Sequence, residues 1–251
     1  GTAGNGITFT RDGIGDEWYG IRCHSTSPTY EIDFDYCTIE YATHGDLWAL
    51  DCSSTSNVSL DHCLIQYNDT GVYGHTANVE FLSNNQIINN NDYGVYFNHA
   101  CNPTFGSSLA EWNDIYGNGI QDFYNGTEDV TVEYVYWGTE DDAQIDDQIF
   151  DFNDDGAKGL VDYIPYTNAA HDAELFGILD PPENLTISAD ADSVYLYWDT
   201  EVGATSYKVY SYEDPYEPSG NWTFEAEVTE ENWSEALPVN DEKFYYVVAC
   251  N

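Results

Sequence analysis

The chain has 251 residues, of which 46 are acidic and only 5 are basic, so its formal net charge is −41 at pH 7. A field of this sign repels nucleic acids and anionic lipid surfaces and excludes both as expected partners. No apolar run approaches the roughly 18 residues that a membrane-spanning helix needs, so we expect no membrane span in this chain. Because the sequence begins with Gly and contains no Met, we expect a processed or trimmed chain.

The first half of the chain repeats itself. Residues 34–42 read FDYCTIEYA and residues 60–68 read LDHCLIQYN, and segments 82–90, 109–117 and 132–139 extend the pattern. Their alignment places four residues in one column, at spacings of 26, 22 and 28 residues: Cys37, Cys63, Asn85 and Asn113. Variable spacing of this kind is typical of a solenoid, whose loops absorb insertions.

A second short strand precedes each of these segments, at residues 19–23, 48–52, 71–74 and 94–98. Alternation along these strands predicts inward and outward columns. The inward columns are Ile21, Leu50, Val72 and Val95, and then Cys23, Cys52, Gly74 and Phe97; the outward column is Arg22, Asp51, Tyr73 and Tyr96.

The strands are rich in β-branched and aromatic residues and are broken by Asn, Gly and Asp, without helical periodicity. The sequence therefore predicts an all-β fold that begins with a right-handed parallel β-helix over residues 1–178, with stacked Asn side chains at its turns. A cap at about 139–166 is expected to close this solenoid. Ile145, Ile149 and Phe150 are spaced for one face of a short helix over 142–150, which we place directly after the last coil.

From residue 183 the pattern changes to six short strands separated by turn residues, after a boundary at Asp180-Pro181-Pro182. Trp198 in the second strand and the pair Tyr245–Tyr246 in the last are expected to fill a core. The sequence thus predicts a small β-sandwich over residues 179–251.

Two resemblances follow from particular segments. PPENLTISADADSVYLYWDTEVGATSYKVYSYEDPY and KFYYVVAC resemble fibronectin type III-like modules at the C-termini of bacterial and archaeal secreted proteins. GTAGNGITFT, EWYGIRC, CTIEYA and YWGT resemble the right-handed β-helix repeat proteins with which such modules occur. The resemblance implies an extracellular or cell-surface protein. It implies no particular activity, because these families include lyases, hydrolases, adhesins and surface proteins.

The six cysteines include no CxxC motif and no Cys/His metal pattern, which favours disulfides outside the cytoplasm. Neighbouring strands lie about 4.8 Å apart, within the roughly 4.4–6.8 Å that separates the Cα atoms of a disulfide. Cys23–Cys52 and Cys37–Cys63 are therefore candidate bridges between coils, with buried free thiols as the alternative.

Six Asn-x-Ser/Thr sequons predict an exported glycoprotein, and the alternative is that an Asn- and Thr-rich chain forms them by chance. The candidate glycosylation sites are Asn57, Asn68, Asn125, Asn184, Asn221 and Asn232.

Residues 151–162, DFNDDGAKGLVD, match the pattern of a calcium-binding loop. The predicted ligands are Asp151, Asn153, Asp155 and Asp162, around a turn at Gly156. Alternating oxygens on a tight loop suit a hard cation that takes six to eight ligands. Calcium is therefore the expected cofactor, and an acidic turn that binds no metal is the alternative.

The features together predict a non-catalytic structural or adhesive protein of a cell-surface layer, sheath or filament. Open β edges, at the first coil and after the sixth strand of the sandwich, are expected to pair with further copies of the chain. Other cell-surface proteins or glycans are the remaining expected partners.

The alternative is a polysaccharide lyase or glycoside hydrolase, or a glycan-binding module. A lyase acting on uronates needs basic residues, and the solenoid offers only Arg11 and Arg22 before its cap. Stacked outward tyrosines would present ring faces to sugars, or would simply stabilise the sheet. The candidate pairs are Tyr73 with Tyr96 and Tyr41 with Tyr67.

Overall fold

The computed structural model describes residues 1–24, 31–44, 48–54, 57–176, 179, 181–201, 203–213, 222–236 and 243–250. The chain divides into two compact units, Gly1–Leu175 and Phe176–Asn251. No helix among the described residues is long and apolar enough to cross a membrane.

The first unit is a solenoid in which parallel strands stack into two long sheets. The first sheet contains, in spatial order, β1 (Ile7–Phe9), β4 (Cys37–Glu40), β7 (Leu64–Gln66), β10 (Asn85–Ile88), β12 (Asn113–Tyr116) and β15 (Val135–Tyr136). The second contains β2 (Ile21–His24), β5 (Trp48–Ser53), β8 (Thr70–His75), β11 (Tyr93–His99), β13 (Gln121–Asn125) and β16 (Ile149–Phe150).

A third, smaller sheet comes from segments that lie between the other two in the chain. Its parallel strands are β3 (Glu31–Asp35), β6 (Asn57–Asp61) and β9 (Asn78–Phe81). Two further pairs are β14 (Val130–Thr131) with β17 (Val161–Asp162), parallel, and β18 (Tyr166–Thr167) with β19 (Glu174–Leu175), antiparallel. The sequence pattern did not predict the third sheet, because a single residue, Tyr36, separates β3 from β4 and the two strands look like one.

The strand register confirms the predicted columns of both long sheets. Asn85 pairs with Asn113, and Cys37 and Cys63 stand one residue before the paired Thr38 and Leu64. The inward columns of the second sheet are paired as predicted. In the first sheet a column of completely buried isoleucines faces the interior, and burial of each contributes roughly 1.5–3 kcal/mol. These residues are Ile39, Ile65, Ile87 and Ile115.

The coils turn through residues with left-handed backbone conformation. Tyr67, with φ of 56°, directly precedes Asn68, and Tyr41, with φ of 61°, stands at the same corner one coil earlier. A non-glycine residue in this conformation costs roughly 1–3 kcal/mol, so its surroundings must hold it. The rings of Tyr41 and Tyr67 stack with centroids 5.6 Å apart. Other corners of this kind are found at Tyr36, His62, Asn84, Asn89 and Tyr134.

A helix forms in the predicted segment but ends two residues before the end of the predicted 142–150, and a further strand of the second sheet follows it. The cap at about 139–166 stays a prediction. Helix α1 covers Asp142–Gln148, and the Asp141 side chain caps it by accepting a hydrogen bond from the Gln144 N–H. Ile145, on the inner face of the helix, is buried. After the helix the chain continues into β16, which pairs with β13. The spacing of Ile145, Ile149 and Phe150 fits one continuous helix, but it fits equally well a shorter helix that is followed directly by a strand. A 3₁₀ turn is also present, at Leu109–Glu111.

The outward column of the second sheet is less exposed than its pattern predicts. Asp51 is only 5% exposed and Tyr73 only 9%. The Arg22 side chain pairs with Asp51, and the Trp48 ring lies flat on Tyr73. Contacts along the column therefore bury side chains that point away from the core.

The second unit contains two three-stranded antiparallel sheets that share one hydrophobic cluster. One sheet consists of β20 (Thr186–Ala189), β21 (Ser193–Tyr197) and β24 (Asn232–Ala236), and the other of β23 (Thr223–Val228), β22 (Ser206–Tyr212) and β25 (Phe244–Cys250). The cluster contains Leu196, Trp198, Tyr207, Val209, Val247 and Ala249. The six strands match the six predicted segments, and the identification as a fibronectin type III-like sandwich stays a prediction.

The prediction that Tyr245 and Tyr246 both fill the core is wrong for the second residue. Tyr245 packs against the cluster, whereas Tyr246 is 37% exposed. Successive residues of a strand point to opposite faces, so two neighbours cannot both enter one core.

Candidate functional site

Two ladders of buried Asn side chains run along the corners of the solenoid. In one of them, the Asn90 Oδ1 accepts hydrogen bonds from the backbone N–H of Asn68 at 3.1 Å and from its Nδ2 at 3.0 Å. Asn90 in turn donates its backbone N–H and its Nδ2 to Asn118 Oδ1, at 3.0 and 2.8 Å. The other ladder links Asn85 to Asn113 in the same way. These bonds satisfy the backbone groups that the corners remove from the sheets.

Asp122 ends the first ladder in the position of a further Asn. Its Oδ1 accepts the backbone N–H of Asn118 at 3.0 Å and the Asn118 Nδ2 at 2.7 Å. The side chain is 1% exposed, and this burial raises the pKa of Asp122 to about 6, although its hydrogen bonds oppose the shift. Asp122 also lines a shallow cleft of about 470 Å³, together with Tyr116 and Trp137. Sequence reasoning missed this residue, because it follows Asn118 by only four positions, outside the repeat spacing.

A ladder of five aromatic rings runs across the outer face of the second sheet: Trp48, Tyr73, Tyr96, Tyr124 and Phe150. Successive ring centroids lie 3.7, 6.0, 4.2 and 4.9 Å apart, and the rings are stacked. Because each inner ring is stacked on both sides, its faces are not available to a sugar. The predicted pair of Tyr73 with Tyr96 is therefore stacked within the ladder, as side chains on neighbouring strands are. Tyr41 and Tyr67 stack on each other outside this ladder, and sugar binding by that pair stays a prediction.

An acidic groove of about 600 Å³ runs along the outer face of the third sheet and is lined by residues of its three strands. Within it, Ser59 Oγ donates to Asp33 Oδ1 at 2.7 Å, and Asn78 Nδ2 donates to Asn57 Oδ1 at 2.7 Å. The remaining acidic residues that line it are Glu31, Asp35 and Glu80. The groove repels anions and suits cationic or hydroxyl-rich ligands.

A buried carboxyl and a histidine meet on the first sheet. Asp114 Oδ1 lies 3.4 Å from His171 Nε2, and the His171 Nδ1 contacts Thr167 Oγ1 at 2.8 Å. Desolvation by burial raises the pKa of Asp114 and lowers the pKa of His171, while the attraction between the two opposes both shifts. The His171 ring stacks on Trp112 at 3.7 Å, and Thr167 is fully buried. The set therefore resembles a packed structural contact more than an open catalytic site.

The residues of the predicted calcium loop mainly bond to the loop itself. The Asp151 carboxylate accepts the N–H groups of Asn153 and Val161, each at 2.8 Å, and Asp155 accepts that of Ala157 at 3.1 Å. Asp162 accepts the N–H of Ile164 at 3.4 Å. Within the described part of the chain, no group of three or more His, Cys, Asp or Glu residues is arranged to hold a metal ion. Calcium binding at this loop stays a prediction.

That prediction has a direct test in calorimetric titration of the whole chain with calcium. If the loop binds calcium, Asp155→Asn should raise the dissociation constant for calcium roughly tenfold, because the charge and number of ligands set the affinity. Asp12→Asn is the control, because Asp12 is exposed and far from the loop in sequence. It removes the same charge and should leave calcium binding unchanged. Equal affinities of the two variants would place the cation elsewhere.

The candidate cysteines lie where predicted, and all six cysteines are free thiols in the structure. Cys23 and Cys52 are partners in register. A hydrogen bond from the Cys52 thiol lowers the pKa of Cys23, and the same contact, together with burial, raises that of Cys52. Burial raises the pKa of Cys63 to about 11. The disulfides Cys23–Cys52 and Cys37–Cys63 stay predictions.

The structure divides the candidate glycosylation sites. Asn68 and Asn125 are completely buried, and their amides bond to main-chain oxygens, so a glycan at either position would have to displace these contacts. Asn184 and Asn232 are exposed, and Asn57 is half-buried in the acidic groove. Asn221 lies outside the described residues.

The parallel coils, their in-register columns and the Asn ladders define the protein as a parallel β-solenoid. Residues 3–135 match the family model described as "Right handed beta helix region". Since this match covers more than half of the chain, the protein belongs to that family. Comparisons with curated proteins and with solved structures gave no match. Because the fold hosts both enzymes and structural proteins, function must be inferred from the sites.

Proposed function

We propose that this protein is a non-catalytic, extracellular structural or adhesive protein that self-associates in a cell-surface layer, sheath or filament. In this proposal the solenoid is a stiff spacer, because its Asn and aromatic ladders fasten each coil to the next. The second unit acts as a fibronectin type III-like module. The exposed sequons at Asn184 and Asn232 would carry glycans.

The observation that carries the proposal is an edge strand of the second unit that pairs with only one strand among the described residues. β20 lies at the edge of its sheet, and all four of its residues are exposed. Ile187 is 61% exposed and the adjacent Leu185 is 41% exposed. An unpaired strand edge that exposes apolar side chains is a template for adding another strand, and another copy of this chain would supply one.

Charge sets the condition under which copies associate. Two chains of net charge −41 repel each other, and the repulsion weakens when cations bind or screen the acidic groups. Self-association is therefore expected to need divalent cations or high salt.

Molar mass by light scattering tests the proposal, with millimolar calcium and again with excess EDTA. We expect assemblies larger than a monomer with calcium and smaller species with EDTA. Ile187→Lys should reduce assembly, because a charge on an edge strand opposes strand addition. Ile120→Lys is the matched control, since Ile120 is 51% exposed but lies outside the strands. A monomer in both buffers would contradict the proposal.

A second candidate, a glycoside hydrolase, is favoured by Asp122. A carboxyl with a pKa of about 6 in a cleft with aromatic walls has the protonation behaviour of a general acid. Hydrolysis of neutral polysaccharides that Asp122→Asn abolishes would support this candidate. Equal rates of hydrolysis by the unmodified chain and by Asp122→Asn would show that Asp122 is not the general acid.

A further inference from the structure

The aromatic ladder ends at a small cavity on the side of the first coil. The cavity has a volume of about 280 Å³ and is lined by Tyr19, Gly20, Arg22, Trp48 and Asp51. It lies below the roughly 300–1,000 Å³ of pockets that hold drug-sized ligands, so it suits a smaller group.

Trp48 is the last ring of the ladder on this side, and one of its faces is stacked on Tyr73 at 3.7 Å. In the second sheet β5 lies between β8 and β2, so the opposite face of the ring is directed toward β2, where the cavity lies. Unlike the inner rings, Trp48 therefore has a face that no other ring of the ladder covers.

A preorganised ion pair stands beside this ring. Arg22 Nε donates to Asp51 Oδ2 at 2.6 Å, and Ser53 Oγ donates to the other carboxylate oxygen. The Asp51 side chain is only 7% exposed, whereas that of Arg22 is 64% exposed. Among the described residues, only the Nε of Arg22 has an acceptor, so within that part of the chain its two terminal nitrogens remain as a pair of donors.

The shape of the cavity depends on a glycine. Gly20 has φ of 73°, and a Cβ at this position would lie 2.1 Å from the Trp48 carbonyl oxygen. The backbone of the preceding loop therefore packs directly against β5. This close approach holds Tyr19 and Arg22 at the rim next to Trp48.

We propose that this cavity, the Trp48 pocket, binds one residue of a neutral saccharide. The apolar face of a sugar ring stacks on the face of the indole that lines the cavity, and vicinal hydroxyls bond to the Arg22 donors and the Asp51 acceptor. A neutral ligand fits because the ion pair has no net charge and the chain as a whole repels anions. The pocket adds a ligand class to the proposed adhesive function. Its test is independent of self-association, because a monomer would bind the same saccharide.

The test is calorimetry or ligand-observed NMR on the whole chain, with uncharged tetrasaccharides of glucose, mannose or galactose and with tetragalacturonate as the acidic comparison. We expect at least one neutral probe to bind and Trp48→Ala to weaken it roughly tenfold or more. Phe150→Ala is the matched control, because it removes the ring at the other end of the same ladder. This variant should bind as the unmodified protein does.

A second variant separates binding from folding. Arg22→Gln keeps a side chain that can donate to Asp51 but removes the paired terminal donors, so it should also weaken binding. Three results would overturn the proposal: no neutral probe binds, Trp48→Ala and Arg22→Gln both bind normally, or only tetragalacturonate binds in a Trp48-dependent way.

Discussion

Replacing Asn90 by Ala is expected to lower the free energy of unfolding of the solenoid by about 3 kcal/mol. Asn90 is 2% exposed and its Oδ1 accepts two hydrogen bonds from Asn68. Without this side chain, the buried backbone N–H of Asn68 loses its acceptor and Asn118 Oδ1 loses the Asn90 Nδ2 donor, whereas Asn68 Nδ2 still donates to main-chain oxygens. Each lost hydrogen bond of a buried group costs about 1–3 kcal/mol. The expected loss is large for a single side chain, because one amide serves both neighbouring coils.

The matched control is Asn91→Ala. Asn91 is exposed and, among the described residues, its side chain bonds to Asp69 alone, so the change should cost less than about 0.5 kcal/mol. The measurement is the free energy of unfolding in guanidinium, with hydrogen exchange followed on peptides from residues 1–175. Restricting the readout to these peptides separates unfolding of the solenoid from unfolding of the second unit. Equal losses for the two variants would show that the ladder does not hold the coils together.

Replacing Asp122 by Asn is expected to stabilise the protein at pH 7 by up to about 3 kcal/mol. The pKa of this carboxyl rises from an ordinary 3.8 to about 6 on folding, chiefly because the group is buried. The folded chain therefore binds the proton more tightly than the unfolded chain. The resulting stabilisation is complete below about pH 4 and is lost as the pH rises through about 6. At pH 7 the buried site must hold a charge, and Asn removes that charge while keeping the oxygen that Asn118 needs.

The measurement is the difference in unfolding free energy between Asp122→Asn and the unmodified chain from pH 4 to pH 7. The difference should be near zero at pH 4 and grow toward pH 7. Asp12→Asn controls for general charge repulsion, because Asp12 is exposed. A variant that is less stable at pH 7, or a difference that does not change with pH, would contradict the role of Asp122 as a buried end of the ladder.

The columns of the solenoid could be read from the sequence because each coil repeats its apolar and Asn positions within narrow limits. Cys37, Cys63, Asn85 and Asn113 aligned correctly because each side chain is buried at the same corner of its coil, where Asn85 and Asn113 also accept hydrogen bonds from the coil before. The third sheet lacked such a signal, since its outer face alternates acidic and amide residues that also occur in loops.

The sites depend on contacts that no local pattern encodes. Asp114 and His171 are 57 residues apart and meet only because the chain returns to the first sheet. Asp122 is one acidic residue among 46, and its burial follows from the end of a ladder that only the fold reveals. The calcium motif at residues 151–162 is a purely local pattern, and calcium binding there stays a prediction. Local patterns therefore predict strands better than they predict sites.

The claim that this protein works outside the cell is tested most directly by protease treatment of intact producing cells, followed by detection with an antibody against this chain. A surface protein should be cleaved or released while an intracellular marker stays intact. Protection of the chain until the cells are lysed would contradict the extracellular function proposed here.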